Sequence, residues 1–202
     1  MFITFEGIDG VGKSTQLRLL KDYFLNMGRA VLTLREPGDT KVSEAIRDIL
    51  LSKENNLDSI SELFLFEAAR SNLTENVIKP ALNEGKIVIC DRFYDSTTAY
   101  QGYGRKLPLD KIKTCNELAT GGLKPDITFL LILNLDKAYK RAGNKNQDRI
   151  ESSGDDFFNR VIDGFLQIAR QEPERVVLID ASDNISSTHE LIINKIKELH
   201  KL

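Results

Sequence analysis

Eight consecutive residues constrain this chain more than any others: Gly7-Ile8-Asp9-Gly10-Val11-Gly12-Lys13-Ser14 match G-x-x-x-x-G-K-S in full. The apolar run Phe2–Glu6 before them reads as a short buried strand. Residues 13–27 after them carry Leu17, Leu20, Phe24 and Met27 at helical spacing, and Gly28 stops the pattern. A chain passing from strand to helix through Gly7, Gly10 and Gly12 must curl tightly, and the curl points several N–H groups inward. Glycine permits the positive φ angles and close approach this requires. The helix that opens near Lys13 adds the positive end of its dipole. Such a loop suits the phosphates of a nucleoside triphosphate, with Lys13 spanning the β- and γ-phosphates and Ser14 as a ligand of Mg²⁺. Gly7, Asp9, Gly10, Val11, Gly12, Lys13, Ser14 and Thr15 are therefore the candidate cofactor-binding residues. A glycine turn with a solvated lysine is the plain alternative, and the strand and helix on either side argue against it.

The rest of the chain alternates in the same way. Further strands are expected at residues 30–34, 86–90, 128–133 and 176–179. Helices are expected at 42–51, 60–82, 109–119, 136–141, 156–170 and 188–199. Strands separated by helices predict an α/β fold with a five-stranded parallel sheet covered on both faces. Right-handed crossovers put the carboxyl ends of the strands along one edge, where ligands bind. Gly7, Arg35 and Asp91 each follow a predicted strand, so the three signals are expected to share one cleft. At 202 residues the chain suits a single domain, residues 1–202. A net charge of −2 gives no bulk attraction to nucleic acid or anionic lipid, so neither nucleic acid nor a membrane is an expected partner. No apolar stretch approaches a membrane span, and the N-terminus lacks a basic targeting segment. Cys90 and Cys115 are too few for a disulfide framework, and His189 and His200 lack metal-ligand spacing. The cytoplasm is the expected location.

Three further clusters carry chemistry. The strand at 86–90 delivers Asp91-Arg92 to the ligand edge, a metal-facing or water-ordering acid beside a planar phosphate donor. A local ion pair closing the strand is the alternative. In the helix from Ile60, Leu63, Phe66, Arg70, Leu73 and Val77 fall on one face, so Arg70 interrupts an apolar stripe. Either Arg70 snorkels beside a core phenylalanine, or the stripe rims a cleft where Phe66 stacks on a base and Arg70 meets a phosphate. Finally, the polar segment at about 142–153 holds Lys145 and Arg149 and follows Arg141, as in a solvated loop or a closing lid. Its Asn144-Lys145-Asn146-Gln147-Asp148 has one residue too many to be the guanine reader N-K-x-D. Asp9 is either a turn residue or a carboxylate at the cleft mouth.

Together these pieces resemble the thymidylate kinase family. The matching segments are residues 5–15, Arg35-Glu36-Pro37-Gly38, Phe66 through Arg70, Asp91-Arg92-Phe93-Tyr94-Asp95-Ser96-Thr97-Thr98-Ala99-Tyr100-Gln101-Gly102, and Asp148-Arg149-Ile150-Glu151. They stand in family order over roughly residues 3–180. The resemblance implies a P-loop NTPase fold with a short lid, phosphorylation of dTMP to dTDP with Mg·ATP, and a homodimer. It implies that Phe66 stacks on thymine and that Arg70 binds the dTMP phosphate and helps recognise the base. Thr97 and Gln101 would face the base, and Tyr100 the deoxyribose. Asp9 would contact the sugar 3′-hydroxyl or water around Mg²⁺, Arg92 would bridge the donor and acceptor phosphates, and Ala181-Ser182-Asp183 would lie near adenine. Asp91 joins Ser14 as a candidate metal residue, and Arg35 joins the substrate-binding set. Some members of the family carry a catalytic arginine in the phosphate loop where this chain has Gly10. The chain thus resembles the bacterial type, whose lid supplies the cation, here Arg149 with Arg141 and Lys145 as helpers. Lys13, Arg92, Arg149 and Asp9 are the candidate catalytic residues. One departure is Asp39, where many bacterial relatives have a second glycine. Two other readings differ in what they need. A different nucleotide or nucleoside kinase would lack the run from Thr97 to Gln101 in this setting. A non-catalytic nucleotide switch would need a guanine reader and a switch aspartate.

Overall fold

β1 (Phe2–Glu6) is buried along its whole length, because it is the centre of the sheet and other strands pair with both its edges. The computed structural model describes residues 1–143 and 148–200. β2 (Val31–Arg35), β3 (Ile87–Asp91), β4 (Ile127–Ile132) and β5 (Val176–Asp180) join β1 in one sheet of order β2-β3-β1-β4-β5, and every pair is parallel. The parallel five-stranded sheet expected from the alternation is what forms. β2 and β3 sit one residue later than expected, so Arg35 and Asp91 are the last strand residues. The ladder explains the shift: Arg35 is in register with Asp91, and Asp91 with Phe5. Two further bonds carry the ladder into the loops, Glu36 N–H to Asp91 O at 3.0 Å and Arg92 N–H to Phe5 O at 2.9 Å.

The helices α1 (Lys13–Asn26), α2 (Lys41–Leu51) and α3 (Ser59–Leu73) begin close to the expected positions. Thr40 caps α2 by accepting from Ser43 N–H, and Asp58 caps α3 by accepting from Ile60 and Ser61 N–H. The helix expected at 60–82 is α3, a π turn at Thr74–Ile78 and α4 (Lys79–Asn83) in succession. Pro80, which has no amide hydrogen to give the α ladder, follows closely on the π turn. After β3, α5 (Tyr94–Thr97) runs into a second π segment, Thr98–Gly104. The sequence reading assigned no helix here. Its buried residues include Asp95, Thr97 and Gln101, so no apolar stripe marks it. α6 (Leu109–Thr120), α7 (Leu135–Ala142), a 3₁₀ turn at Glu151–Ser153, α8 (Asp155–Gln171) and α9 (Ile185–His200) complete the chain as described.

Strand alternation splits the core. Ile3, Phe5, Ile89 and Phe129 pack with Leu20, Phe157, Phe165 and Ile192, while Phe2, Val88 and Cys90 pack with Leu73, Ile78 and Phe93. Cys90 is buried, and burial pushes its thiol well above the ordinary range. A polar bolt also crosses the core. Arg175 binds Asp95 through both Nη atoms, at 2.7 and 2.9 Å, and donates to Thr128 Oγ1 at 2.6 Å. This bolt fixes α5, which in turn carries the site residues after β3. No described helix is long and apolar enough to cross a membrane.

Candidate active site

The loop after β1 curls as its glycines allow. Gly7, Gly10 and Gly12 have φ of 126, 82 and 103°. A Cβ at Gly7 would run into the carbonyl oxygen of Leu131, so the loop can lie against β4 only with glycine there. Lys13 is buried and folds back over the loop, donating to Gly7 O and Ile8 O, both at 3.1 Å. Burial and the neighbouring Arg92 push its pKa down, while Asp9 and Asp91 pull it up.

Ser14 Oγ donates to Asp91 Oδ2 at 3.1 Å. Asp91 Oδ1 is buried and has no hydrogen-bond partner among the described residues. A hydroxyl beside an unsatisfied carboxylate oxygen is an all-oxygen donor pair, as a hard divalent cation with its own waters needs. The chemistry of Ser14 and Asp91 is compatible with such a cation.

Arg92 joins two parts of the site. Its backbone takes φ 74°, an uncommon conformation for a residue other than glycine. That turn swings the guanidinium back over β1, where it donates to Gly7 O at 2.9 Å and to Asp9 Oδ1 at 2.8 Å. Its Cζ lies 5.3 Å from the centre of the Tyr100 ring. Enclosure of Asp9 by the cleft walls opposes its ionisation, but Arg92 and Lys13 overcome this and hold its carboxyl well below the usual range. Glu6, at the end of β1, is fully buried and accepts from Phe93 N–H at 2.7 Å and Ser96 Oγ at 2.6 Å. Burial, with Asp95 nearby, pushes its pKa up to about 8.

The phosphate loop opens into a cleft of about 1420 Å³ also lined by Arg35, Arg141, Ala181, Asp183 and Ile185. Of the segment expected near adenine, Ala181 and Asp183 line this cleft, and Arg141 donates to Ala181 O at 2.8 Å. Beside it lies a smaller cavity of about 150 Å³, lined by Phe66, Arg70, Thr97, Tyr100 and Gln101 among others. Asp9, Glu36, Arg47, Arg92 and Glu151 line both spaces. The structure therefore brings the two expected halves together and makes the two arginines and three carboxylates their shared wall.

Arg70 is engaged more completely than the stripe suggested. It donates to Glu36, Glu67 and Thr97, each at 2.8 Å, and to Phe93 O at 3.2 Å. Four of its five N–H groups are thus used, and two carboxylates offset its charge. One N–H of Arg70 remains for a ligand. Burial pushes Glu36 up to about 7 against the pull of Arg70.

Arg149 is paired as well. Its Nη1 lies 2.7 Å from Glu62 Oε2, and its Nε donates to Leu50 O at 2.9 Å. It lines neither space, whereas its neighbours Asp148, Ile150 and Glu151 line the smaller cavity. The physical reason is that a half-buried guanidinium pairs with whatever buried carboxylate it can reach, and Glu62 is fully buried. Lys145 lies outside the described residues.

Arg35 pairs with Glu44 at 2.8 and 2.9 Å. Asp39 accepts from the backbone N–H of Arg35, not from its guanidinium. Its φ of 61° is the left-handed region that glycine favours. The sequence reading missed Arg47 on α2. It donates only to Pro37 O, at 3.0 Å, and has no ion pair among the described residues. Its position six residues into an amphipathic helix resembles any solvated arginine, so no local signal marked it.

Comparison with known proteins agrees with this geometry. The family model described as thymidylate kinase matches residues 5–192. A thymidylate kinase of Thermoanaerobacter sp. (strain X514) is 44% identical over 98% of this chain and 97% of its own length. One from Chlorobaculum parvum is 47% identical over 98% and 96%. The crystal structure of thymidylate kinase from Ehrlichia chaffeensis superimposes with a TM-score of 0.81 at 40% identity, covering 98% of each chain. With the parallel sheet, the phosphate loop and the paired cavities in place, this chain belongs to the thymidylate kinase family and has its P-loop NTPase fold.

Proposed function

We propose that this chain transfers the γ-phosphoryl group of ATP, with Mg²⁺, to the phosphate of dTMP, giving dTDP and ADP. One observation carries the reading: the phosphate-loop cleft and the smaller cavity share a wall containing Arg47 and Arg92. A donor phosphate in one space and an acceptor phosphate in the other would meet at those two cations. A thymine ring lies against Phe66, and the remaining N–H of Arg70 meets a base carbonyl. Thr97 and Gln101 line the base edge, and Tyr100 packs where a 2′-hydroxyl would sit. Arg47 and Arg92 take the acceptor phosphate, with Arg35 at the rim. Asp9 orients Arg92 and reaches the sugar 3′-hydroxyl.

An acceptor phosphate oxygen attacks the γ-phosphorus in line, and the bond to the β,γ-bridging oxygen breaks as ADP leaves. The acceptor is already anionic, so no general base is needed. The protein positions the two phosphates and neutralises charge through Lys13 and Arg92. Ser14 and Asp91 would hold Mg²⁺, which would supply further charge neutralisation. Arg149 leaves Glu62 as the lid closes and completes the positive charge around the transferring group.

The expected assembly is a homodimer. Ile60 and Phe64 on α3 and Leu118 on α6 are exposed, with Phe64 at 59% and Leu118 at 77%, and a second copy of this chain is their partner. Phe64→Asp then shifts the sedimentation coefficient to that of a monomer. The cytoplasm is the expected compartment, and the free thiols of Cys90 and Cys115 accord with reducing conditions. The central test incubates Mg·ATP with a panel of nucleosides and nucleoside monophosphates and measures ADP. dTMP is the expected acceptor; turnover of thymidine but not dTMP, or of nothing in the panel, overturns the reading.

A further inference from the structure

Glu62 is fully buried, yet it lines neither the cleft nor the smaller cavity. Four donors converge on its carboxylate. Oε1 accepts from Gln101 Nε2 at 2.8 Å and from Arg105 Nε at 3.0 Å. Oε2 accepts from Arg105 Nη2 at 3.1 Å and lies 2.7 Å from Arg149 Nη1. A carboxylate offers about four lone-pair sites, so this one is saturated. Although burial opposes ionisation, these donors hold its pKa below the usual value, and the group has no proton to give.

That saturation has a consequence for Gln101. A side-chain amide can point either its NH₂ or its carbonyl at a neighbour, and the two are distinguished by what the neighbour can do. Facing an ionised, acceptor-only Glu62, Gln101 must present its NH₂. Gln101 is itself buried and lines the smaller cavity, so with its NH₂ held by Glu62 the carbonyl Oε1 is the acceptor it offers to a ligand. A base edge facing Oε1 needs an N–H. Thymine and uracil carry one at N3; cytosine has a bare acceptor there, and two opposed acceptors leave both without a hydrogen.

We infer that Glu62 is a positioning residue that locks the Gln101 amide with its carbonyl toward the acceptor base, and so makes the site select an imide N–H over the N3 acceptor of cytosine. The inference rests on the reading of the smaller cavity as the base site. Glu62 touches no substrate in this scheme. The same carboxylate holds Arg149, so one buried charge anchors both the base reader and the lid.

The isosteric Glu62→Gln tests the lock. The amide it introduces has one oxygen where the carboxylate had two, and Arg105 and Arg149 compete for it. The new NH₂ then faces Gln101 and favours the flipped Gln101 amide, with NH₂ toward the base. The ratio of kcat/KM for dTMP over dCMP is expected to fall roughly ten- to a hundredfold. The fall comes from opposite changes in the two KM values, because any lid effect on kcat is common to both nucleotides. Arg70 still opposes the cytosine amino group, so preference relaxes without reversing fully. If Glu62→Gln does not fold, as judged by its melting transition, the pair Glu62→Met and Arg149→Met removes the lid cation along with its partner. Arg105 keeps its contact with the Phe157 ring, 4.4 Å from the centroid. The same fall in the ratio is expected.

Gln101→Met separates the two levels of the argument. If it raises KM for dTMP while the Glu62 variants leave the dTMP to dCMP ratio unchanged, the lock is overturned and the base site stands. If Gln101→Met leaves KM for dTMP unchanged, the base-site reading falls and the lock with it.

Discussion

The phosphate loop and the acceptor cavity sit side by side, but they are built on opposite principles. The loop is one stretch of backbone, residues 7–14, shaped by glycines and aimed by a helix terminus. The cavity is made of side chains drawn from α3, α5, the π segment after it and the lid-side residues Asp148, Ile150 and Glu151. Backbone N–H groups suit a ligand part common to all nucleoside triphosphates, since they recognise charge and not identity. Telling one base from another takes side chains of chosen shape and polarity, and those can come from anywhere in the chain. On the proposed reading, generic recognition is local here and selective recognition is distributed.

Breaking the seam between the halves is expected to have the largest effect. Arg92 touches Gly7 and Asp9 and also lines the acceptor cavity, so Arg92→Ala should lower kcat on the order of 10³-fold and raise KM for both nucleotides in steady-state assays. An effect confined to one nucleotide would show that the halves are joined elsewhere. Arg149→Ala comes next, with kcat lower by roughly 10²-fold and nucleotide affinities little changed, as expected for an interaction made in the transition state. Unchanged kcat would leave Arg149 as an anchor on Glu62 and nothing more. Phe66→Ala should act on the distributed half alone, raising KM for dTMP about tenfold or more while KM for ATP holds; equal changes in both would make Phe66 a core residue.

Two smaller effects probe stability. Glu6 ties the strand before the loop to the start of α5, and its pKa rises from 4.5 to about 8 in the fold. A raised carboxyl pKa means the folded state holds a proton that the unfolded chain has released. Its contribution is complete below pH 4.5 and declines as pH rises toward about 8. Urea denaturation across that interval should show falling stability, and Glu6→Gln should flatten the slope. Asp39→Gly should change stability least, by about 0.5 kcal/mol or less, because relief of the left-handed φ offsets loss of the carboxylate bond to Arg35 N–H. A large drop in dTMP affinity in this variant would instead assign Asp39 a role at the site.

Particular residues show where sequence reading reached and where it stopped. The strands were found because short apolar runs between turn signals have few other uses, and their order along the chain implied a parallel sheet. Bounds moved by one residue at β2, β3 and β4, since the ladder and not hydrophobicity decides where a strand ends. The Tyr94–Gly104 helical segment went unseen because Asp95, Thr97 and Gln101 are polar yet buried, so periodicity had nothing to detect. Arg70 was singled out correctly as a charge that needed partners, but its partner Glu36 is 34 positions away, and no spacing rule connects them. Arg47 was missed altogether.

By itself the sequence determined that residues 7–14 form a glycine-shaped loop between a strand and a helix, that the sheet is parallel, and that Arg92 follows a strand. Each of these depends on covalent neighbours: which residues permit positive φ, which repeat with a strand or helix period, which come next. Only the tertiary structure decided which charges remain free. Arg70 is paired with Glu36 and Glu67 and Arg149 with Glu62, and Arg47 lines the wall where two cavities meet. A guanidinium's chemistry depends on the carboxylates within a few ångströms, and folding, not chain order, sets those neighbours.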